Sequence, residues 1–220
     1  MTEAFDIEFK DLPADMPIFP LSRVILLPRV QLPLNIFEPR YMAMVDDAMR
    51  NHRMIGMIQP QSETAGADLC TVGGAGRIVS FNETDDGRYL ITLKGVCRFK
   101  LTHVVEKSDK GFLHTRPDWL PFVDDFKQDT VTDICREAMV NRLHAYFKQM
   151  DMSCDQWEQI RQIGCERLIS TLSVVCPFES EEKQALLEAP TLAERARILQ
   201  GLLERAVRQS CCDDSPKTCH

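Results

Sequence analysis

Apolar and polar positions follow strand spacing through the first half of the chain, interrupted by one helical stretch, and helical spacing through the second. In the first half, Met16-Pro17-Ile18-Phe19-Pro20-Leu21 and Gln31-Leu32-Pro33-Leu34-Asn35-Ile36-Phe37 are short apolar segments punctuated by proline. Proline has no ladder donor, so both read as edge or irregular strands. A helix is expected from Glu38-Pro39, with proline in its first turn and Tyr41, Met44 or Val45, Ala48 and Met49 on one stripe. Met54-Ile55-Gly56-Met57-Ile58 reads as a strand. Arg77–Phe81 and Arg88–Leu93 flank Thr84-Asp85-Asp86-Gly87, an Asp-Gly hairpin, and a further strand runs from Val96 to Val105 beyond Gly95.

Beyond Trp119-Leu120-Pro121 and Asp124-Asp125 the period becomes helical. Val131, Ile134 and Ala138 form one stripe, with Met139, Leu143, Tyr146 or Phe147, and Met150 on an adjoining face. Cys165, Leu168 or Ile169, Leu172 and Val175 predict a helix stopped near Pro177, and Glu181–Glu188 another with an acidic start. Thr191-Leu192-Ala193-Glu194 is a capping box opening a helix that buries Leu192, Ala196, Leu199, Leu203 and Ala206. The expected organisation is an N-terminal segment (1–15), a β-domain (16–120), a helical bundle (128–209) and a disordered, Cys-rich tail (210–220), with a linker near Trp119–Lys127.

Composition narrows the function classes. At 44% hydrophobic and 27% charged, the 220 residues can build packed cores. A net charge of -7 argues against non-specific nucleic-acid or anionic-membrane binding, which require Lys and Arg to neutralise phosphate. No apolar run approaches the roughly 20 residues of a membrane span, and the acidic start lacks a signal peptide's basic region, so a cytoplasmic location is expected. Nine cysteines without a CxxC fit a reducing compartment.

Catalytic chemistry is not legible. The five histidines form no metal-ligand pattern, and HExxH, a GxSxG elbow and a GxxxxGK[ST] loop do not occur. Gly73-Gly74-Ala75-Gly76 leads into Arg77-Ile78-Val79 rather than a helix, so it reads as a turn and not a phosphate loop. Cys97 and His103 lie about 20 Å apart on an extended strand, too far to pair. Cys211, Cys212, Cys219 and His220 lack neighbours to orient a metal. Neither a cofactor nor a metal site is expected.

The order of several short segments resembles a known family. Pro17-Ile18-Phe19-Pro20-Leu21, then Pro28, then Leu32-Pro33-Leu34-Asn35-Ile36-Phe37-Glu38-Pro39-Arg40-Tyr41 resembles the opening of the Lon protease N-terminal domain. Gly76-Arg77-Ile78, the Asp86-Gly87 hairpin and Gly95-Val96-Cys97-Arg98-Phe99-Lys100-Leu101 resemble its later strands, and Glu182–Glu188 looks like stand-alone bacterial members. The resemblance implies an α+β fold: a PUA-like β pseudo-barrel with one or two helices, followed by a C-terminal α-helical bundle. It also implies capture of unfolded or tagged polypeptide. The ATPase and Ser-Lys peptidase motifs of the full enzymes have no counterpart here, so a non-catalytic protein is expected.

Two functions follow as expectations. The first is a peptide-binding module, an adaptor in protein quality control, whose partners are unfolded or extended polypeptide segments and a protease. Its candidate site residues are Ile25, Leu26, Leu27 and Arg29. If Val24–Leu27 is extended, its side chains alternate in direction, so at least one is expected to meet solvent; the alternative is that these side chains fold back as a plug of the barrel. The second is a PUA-like nucleic-acid-associated protein using Arg23, Arg29, Arg40, Arg50 and Arg53. Arg40, near the positive end of its helix, calls for an acidic partner such as Glu38. A monomer or weak dimer without membrane contact completes the expectation.

Overall fold

The computed structural model describes residues 7–64, 66–107, 109–127, 136–149 and 162–213. Six strands form one sheet: β1 (Met16–Pro20), β2 (Gln31–Ile36), β3 (Met54–Ile58), β4 (Val72–Glu83), β5 (Tyr89–Lys107) and β6 (Leu113–Asp118). Their order is β2-β5-β4-β3-β1-β6, and β6 also pairs with β5. Five strands therefore close a barrel, while β2 lies outside the ring on the first half of β5, with Gln31 opposite Lys94 and Ile36 opposite Tyr89. β5 manages both pairings because it is 19 residues long: its start carries β2 and its end carries β6.

Local sequence explains most of these elements. Gly87 takes φ +78° at the β4–β5 hairpin, the conformation that the Asp-Gly step makes accessible. β3 is buried on both faces, as its unbroken apolar run requires: Met54 and Ile58 face one core, Ile55 and Met57 another. Helix α1 (Pro39–Arg50) lays Tyr41, Met44, Val45 and Ala48 into the second of these. Gly73–Gly76, expected as a turn, lie inside β4 instead. They pair with β3 and β5, with a bulge between Ala75 and Gly76, and the missing side chains of Gly74 and Gly76 make room for another segment of the chain.

That segment is Val24–Val30. Leu26 enters the core beneath α1, and Ile25, Leu27 and Val30 enter the core of the helices. A Cβ on Gly74 would strike the carbonyl oxygen of Leu26, and one on Gly95 that of Leu27. The ends of the segment are turned by Arg23 (φ 61°) and Arg29 (φ 64°), a conformation that costs a side-chain-bearing residue about 1–2 kcal/mol. Tertiary bonds hold both: the Arg23 N–H donates to Gln59 Oε1 (2.8 Å), and the Arg29 N–H to the Gly95 carbonyl (2.8 Å).

Helices α2 (Arg136–Gln149), α3 (Cys165–Val175), α4 (Ser180–Glu188) and α5 (Leu192–Asp213) follow a 3-10 helix at Leu120–Phe126. Val131, Ile134, Met150 and the tail at 214–220 lie outside the described residues, and α5 runs on to Asp213. The stretch expected as a linker is pinned down: Trp119 Nε1 donates to the Pro13 carbonyl (3.0 Å), and Asp125 is buried against Arg98. Barrel and helices share one cluster, because Ile25, Leu27 and Val30 pack with Met139, Leu143, Leu172, Leu186 and Leu199.

A buried lysine closes α3. Lys183, 2% exposed, donates through Nζ to the carbonyls of Ser173 (3.0 Å) and Val174, two orphan acceptors at that helix end. Burial depresses its pKa to about 8, and burial pushes the nearby Cys176 thiol up to about 11. The unfolded chain therefore holds the lysine proton more tightly than the native one. Native stability lost to the buried charge below about pH 8 is recovered as pH rises toward 10.5. Urea midpoints of wild type and Lys183→Met should accordingly diverge in favour of wild type by about 2–3 kcal/mol across that window. A constant difference would mean that Lys183 does not titrate there.

Candidate functional site

A cavity of about 370 Å³ lies between the end of β1, the end of β2 and the start of α1. Its apolar lining includes Phe19, Leu21, Leu34, Ile36, Phe37 and Tyr41. The Phe19 and Tyr41 rings pack at 4.2 Å between centroids, and the Arg40 guanidinium lies 4.4 Å over the Tyr41 ring. Burial raises the Tyr41 hydroxyl's pKa. Phe37 stands at the lip, 65% exposed, where β2 turns into α1. Leu120 (74%) and Val175 (68%) are also open to water, but among the exposed large hydrophobics of the described residues Phe37 is the one that lines this cavity.

Charge at the mouth is self-compensated. Glu38 Oε2 accepts from Arg40 Nε (3.0 Å) and Nη2 (2.9 Å), which is the acidic partner expected from Arg40's place in the helix. The groove thus offers aromatic and aliphatic surface, one neutralised ion pair, and the polar Ser22 and Asn35. That surface suits apolar side chains and assembles no nucleophile, base and orienting group.

The residues expected at the site are elsewhere. Ile25, Leu26 and Leu27 are 1%, 1% and 0% exposed, which corrects the expectation that one of them meets solvent. Their side chains do alternate in direction, but the helices cover one side and the α1 core the other. Arg29 is a tie: Nη1 bonds Glu166 (2.6 Å), and Nη2 donates to the carbonyls of Asp125 (3.0 Å) and Lys127 (2.6 Å). Of the five arginines, Arg23 pairs with Glu179 (2.8 Å), and Arg29 and Arg40 are paired as above. An aromatic closing an apolar strand is ordinarily buried, so the exposure of Phe37 is not legible in the strand pattern; its place directly before Glu38-Pro39, where the strand ends, is the signal the chain carries.

Other candidate chemistry stays apart. Cys97 is buried, with its thiol pKa pushed up mainly by that burial, while His103 is exposed. His114 lies 3.8 Å from Asp15 and 3.9 Å from Asp47 beside a cavity of about 110 Å³. Among the described residues, no group of three or more His, Cys, Asp or Glu could hold a metal, and no helix is long and apolar enough to cross a membrane.

Comparison with known proteins places this geometry. The family model of the ATP-dependent protease La (LON) substrate-binding domain matches residues 15–205. Over 209 residues the chain is 27% identical to a Lon protease of Anaeromyxobacter dehalogenans, covering 90% of this chain and 24% of that protein. A second Lon protease, from Myxococcus xanthus, is 25% identical over 209 residues, again 24% of its length. The chain thus spans about a quarter of the curated relatives it matches. A Lon N-terminal domain protein from Xanthomonas campestris superposes with TM-score 0.57 at 21% identity, covering 86% of this chain and 97% of that one. The N-terminal domain of Mycobacterium avium complex Lon protease gives TM-score 0.63 at 16% identity, covering 86% and 98%.

Proposed function

The chain belongs to the Lon substrate-binding domain family, and from that premise we propose that it captures unfolded polypeptide in the groove between β1, β2 and α1. Phe37 carries the reading: it is a mostly exposed aromatic at the lip of an apolar groove of about 370 Å³. An unfolded chain displays the side chains that a folded one hides, so a neutral apolar groove discriminates between the two states. Delivery of the captured segment to a protease would make the protein an adaptor in quality control, with binding rather than catalysis as its contribution.

The test is titration of reduced, alkylated α-lactalbumin against wild type and Phe37→Asp. Burying an aromatic against a partner contributes about 1.5–3 kcal/mol, so the variant should bind roughly 10- to 100-fold more weakly. Phe37 is exposed, and the variant's melting temperature should stay near that of wild type. Equal affinities would remove the groove from the binding site.

A further inference from the structure

We propose that the captured segment docks as an added strand along the open edge of β2, with its side chains alternating into the groove. The inference rests on the groove being the polypeptide site and adds how the occupant is held.

Among the described residues β2 pairs with β5 alone, so its other edge carries unpaired backbone groups. The register shows which ones. The Gly95 N–H donates to the Val30 carbonyl (2.8 Å), in line with Gln31 opposite Lys94. By antiparallel alternation Leu32, Leu34 and Ile36 bond to β5, and Gln31, Pro33 and Asn35 turn their backbone groups outward. Pro33 agrees, since a strand proline is tolerated where its missing N–H faces away from the ladder. The edge therefore offers the N–H and C=O of Gln31 and Asn35 and the C=O of Pro33.

This edge runs into the groove, whose lining includes Asn35 and the end of β1. β6 covers β1 only over Met16–Ile18, so Phe19 and Pro20 face the same gap. A strand laid there finds backbone partners on β2 and a pocket for every second side chain, the arrangement by which extended peptides add to sheets. The occupant is fixed by charge and size. Gln31, Pro33 and Asn35 are neutral and the Glu38–Arg40 pair is self-satisfied, so the surface fits an uncharged stretch of another polypeptide bearing a large apolar side chain. The absent Pro33 donor leaves the hold weaker than a full ladder, which suits a substrate that must be released.

Two variants and one set of peptides test this. The probe is a blocked peptide alternating valine and threonine about a single phenylalanine. Pro33→Ala adds an outward donor and should tighten binding about two- to tenfold, the worth of one net hydrogen bond. Asn35→Pro removes an outward donor without touching the β5 ladder and should weaken binding by a similar factor. Single N-methylations of the peptide need no protein variant; they should weaken binding at alternate positions only. Unchanged affinity for Pro33→Ala, with no two-residue period in the methylated peptides, would overturn strand addition. If Phe37→Asp still weakened binding as expected, the groove reading would survive alone; if it did not, both would fall. Self-association of Pro33→Ala in sedimentation, without tighter peptide binding, would assign the edge to a second copy and also overturn the proposal.

Discussion

Replacing Arg98 by methionine should lower the stability of the native state by about 3–5 kcal/mol, a fall in melting temperature of roughly 6–20 °C for a chain of this length. Arg98 and Asp125 are each 7% exposed at the side chain and are bonded through Nε–Oδ2 (3.1 Å) and Nη2–Oδ1 (2.7 Å). Nη1 donates to the carbonyls of Leu187 (3.1 Å) and Ala189 (2.7 Å) at the end of α4, and the guanidinium lies 4.7 Å over the Phe122 ring. One side chain thus joins β5, the 3-10 helix and α4. The methionine would fill much of the volume while leaving two carbonyls without their donor and a buried carboxylate held only by the backbone N–H of residue 98 (2.8 Å), with no countercharge. Arg98→Met combined with Asp125→Leu should recover part of the loss, because no unpaired charge then remains. A double variant no better than the single one would show that the helix carbonyls, not the carboxylate, set the cost.

Gly95→Ala and Gly74→Ala should each destabilise the protein by about 3 kcal/mol or more, at or above the usual upper end for overpacking. The added methyl meets the backbone carbonyl of Leu27 or Leu26, not a side chain that could change rotamer. Val24–Val30 has little freedom to retreat, being held at Arg23 and Arg29 and by Leu26 and Leu27 in two different cores. Gly87→Ala is the control. It occupies open space at φ +78° and should cost about 1 kcal/mol, the conformational term alone. Urea midpoints that rank all three substitutions together would mean that the Val24–Val30 segment yields and the close approach is not required.

These two sites mark where sequence reading succeeded and where it stopped. Arg98 stood in a Gly-x-x-Arg strand resemblance, but nothing in its neighbours foretold Asp125, 27 positions away, as its partner. The glycines of β4 suggested a turn because glycine is scarce inside strands. Their actual reason, a segment some fifty residues earlier pressed against the sheet, is not encoded near them. The groove was legible only in part: Glu38-Arg40 pairing followed from the helix dipole, whereas the exposure of Phe37 did not follow from an apolar strand ending.

By itself the sequence determined what short-range physics dictates. Period two and the Asp-Gly step set the β4–β5 hairpin, Pro39 opened α1, and the 3–4 spacing set α3 and α5. Each of these depends on residues within a turn or a strand of one another. Tertiary structure alone decided which apolar surfaces were covered. Ile25, Leu26 and Leu27 form an alternating run whose period states that two faces exist, but it carries no information on what meets each face. The helices from Arg136 onward sealed one side and α1 the other, while Phe37 was left open at the groove, beside an edge of β2 that no other strand takes among the described residues.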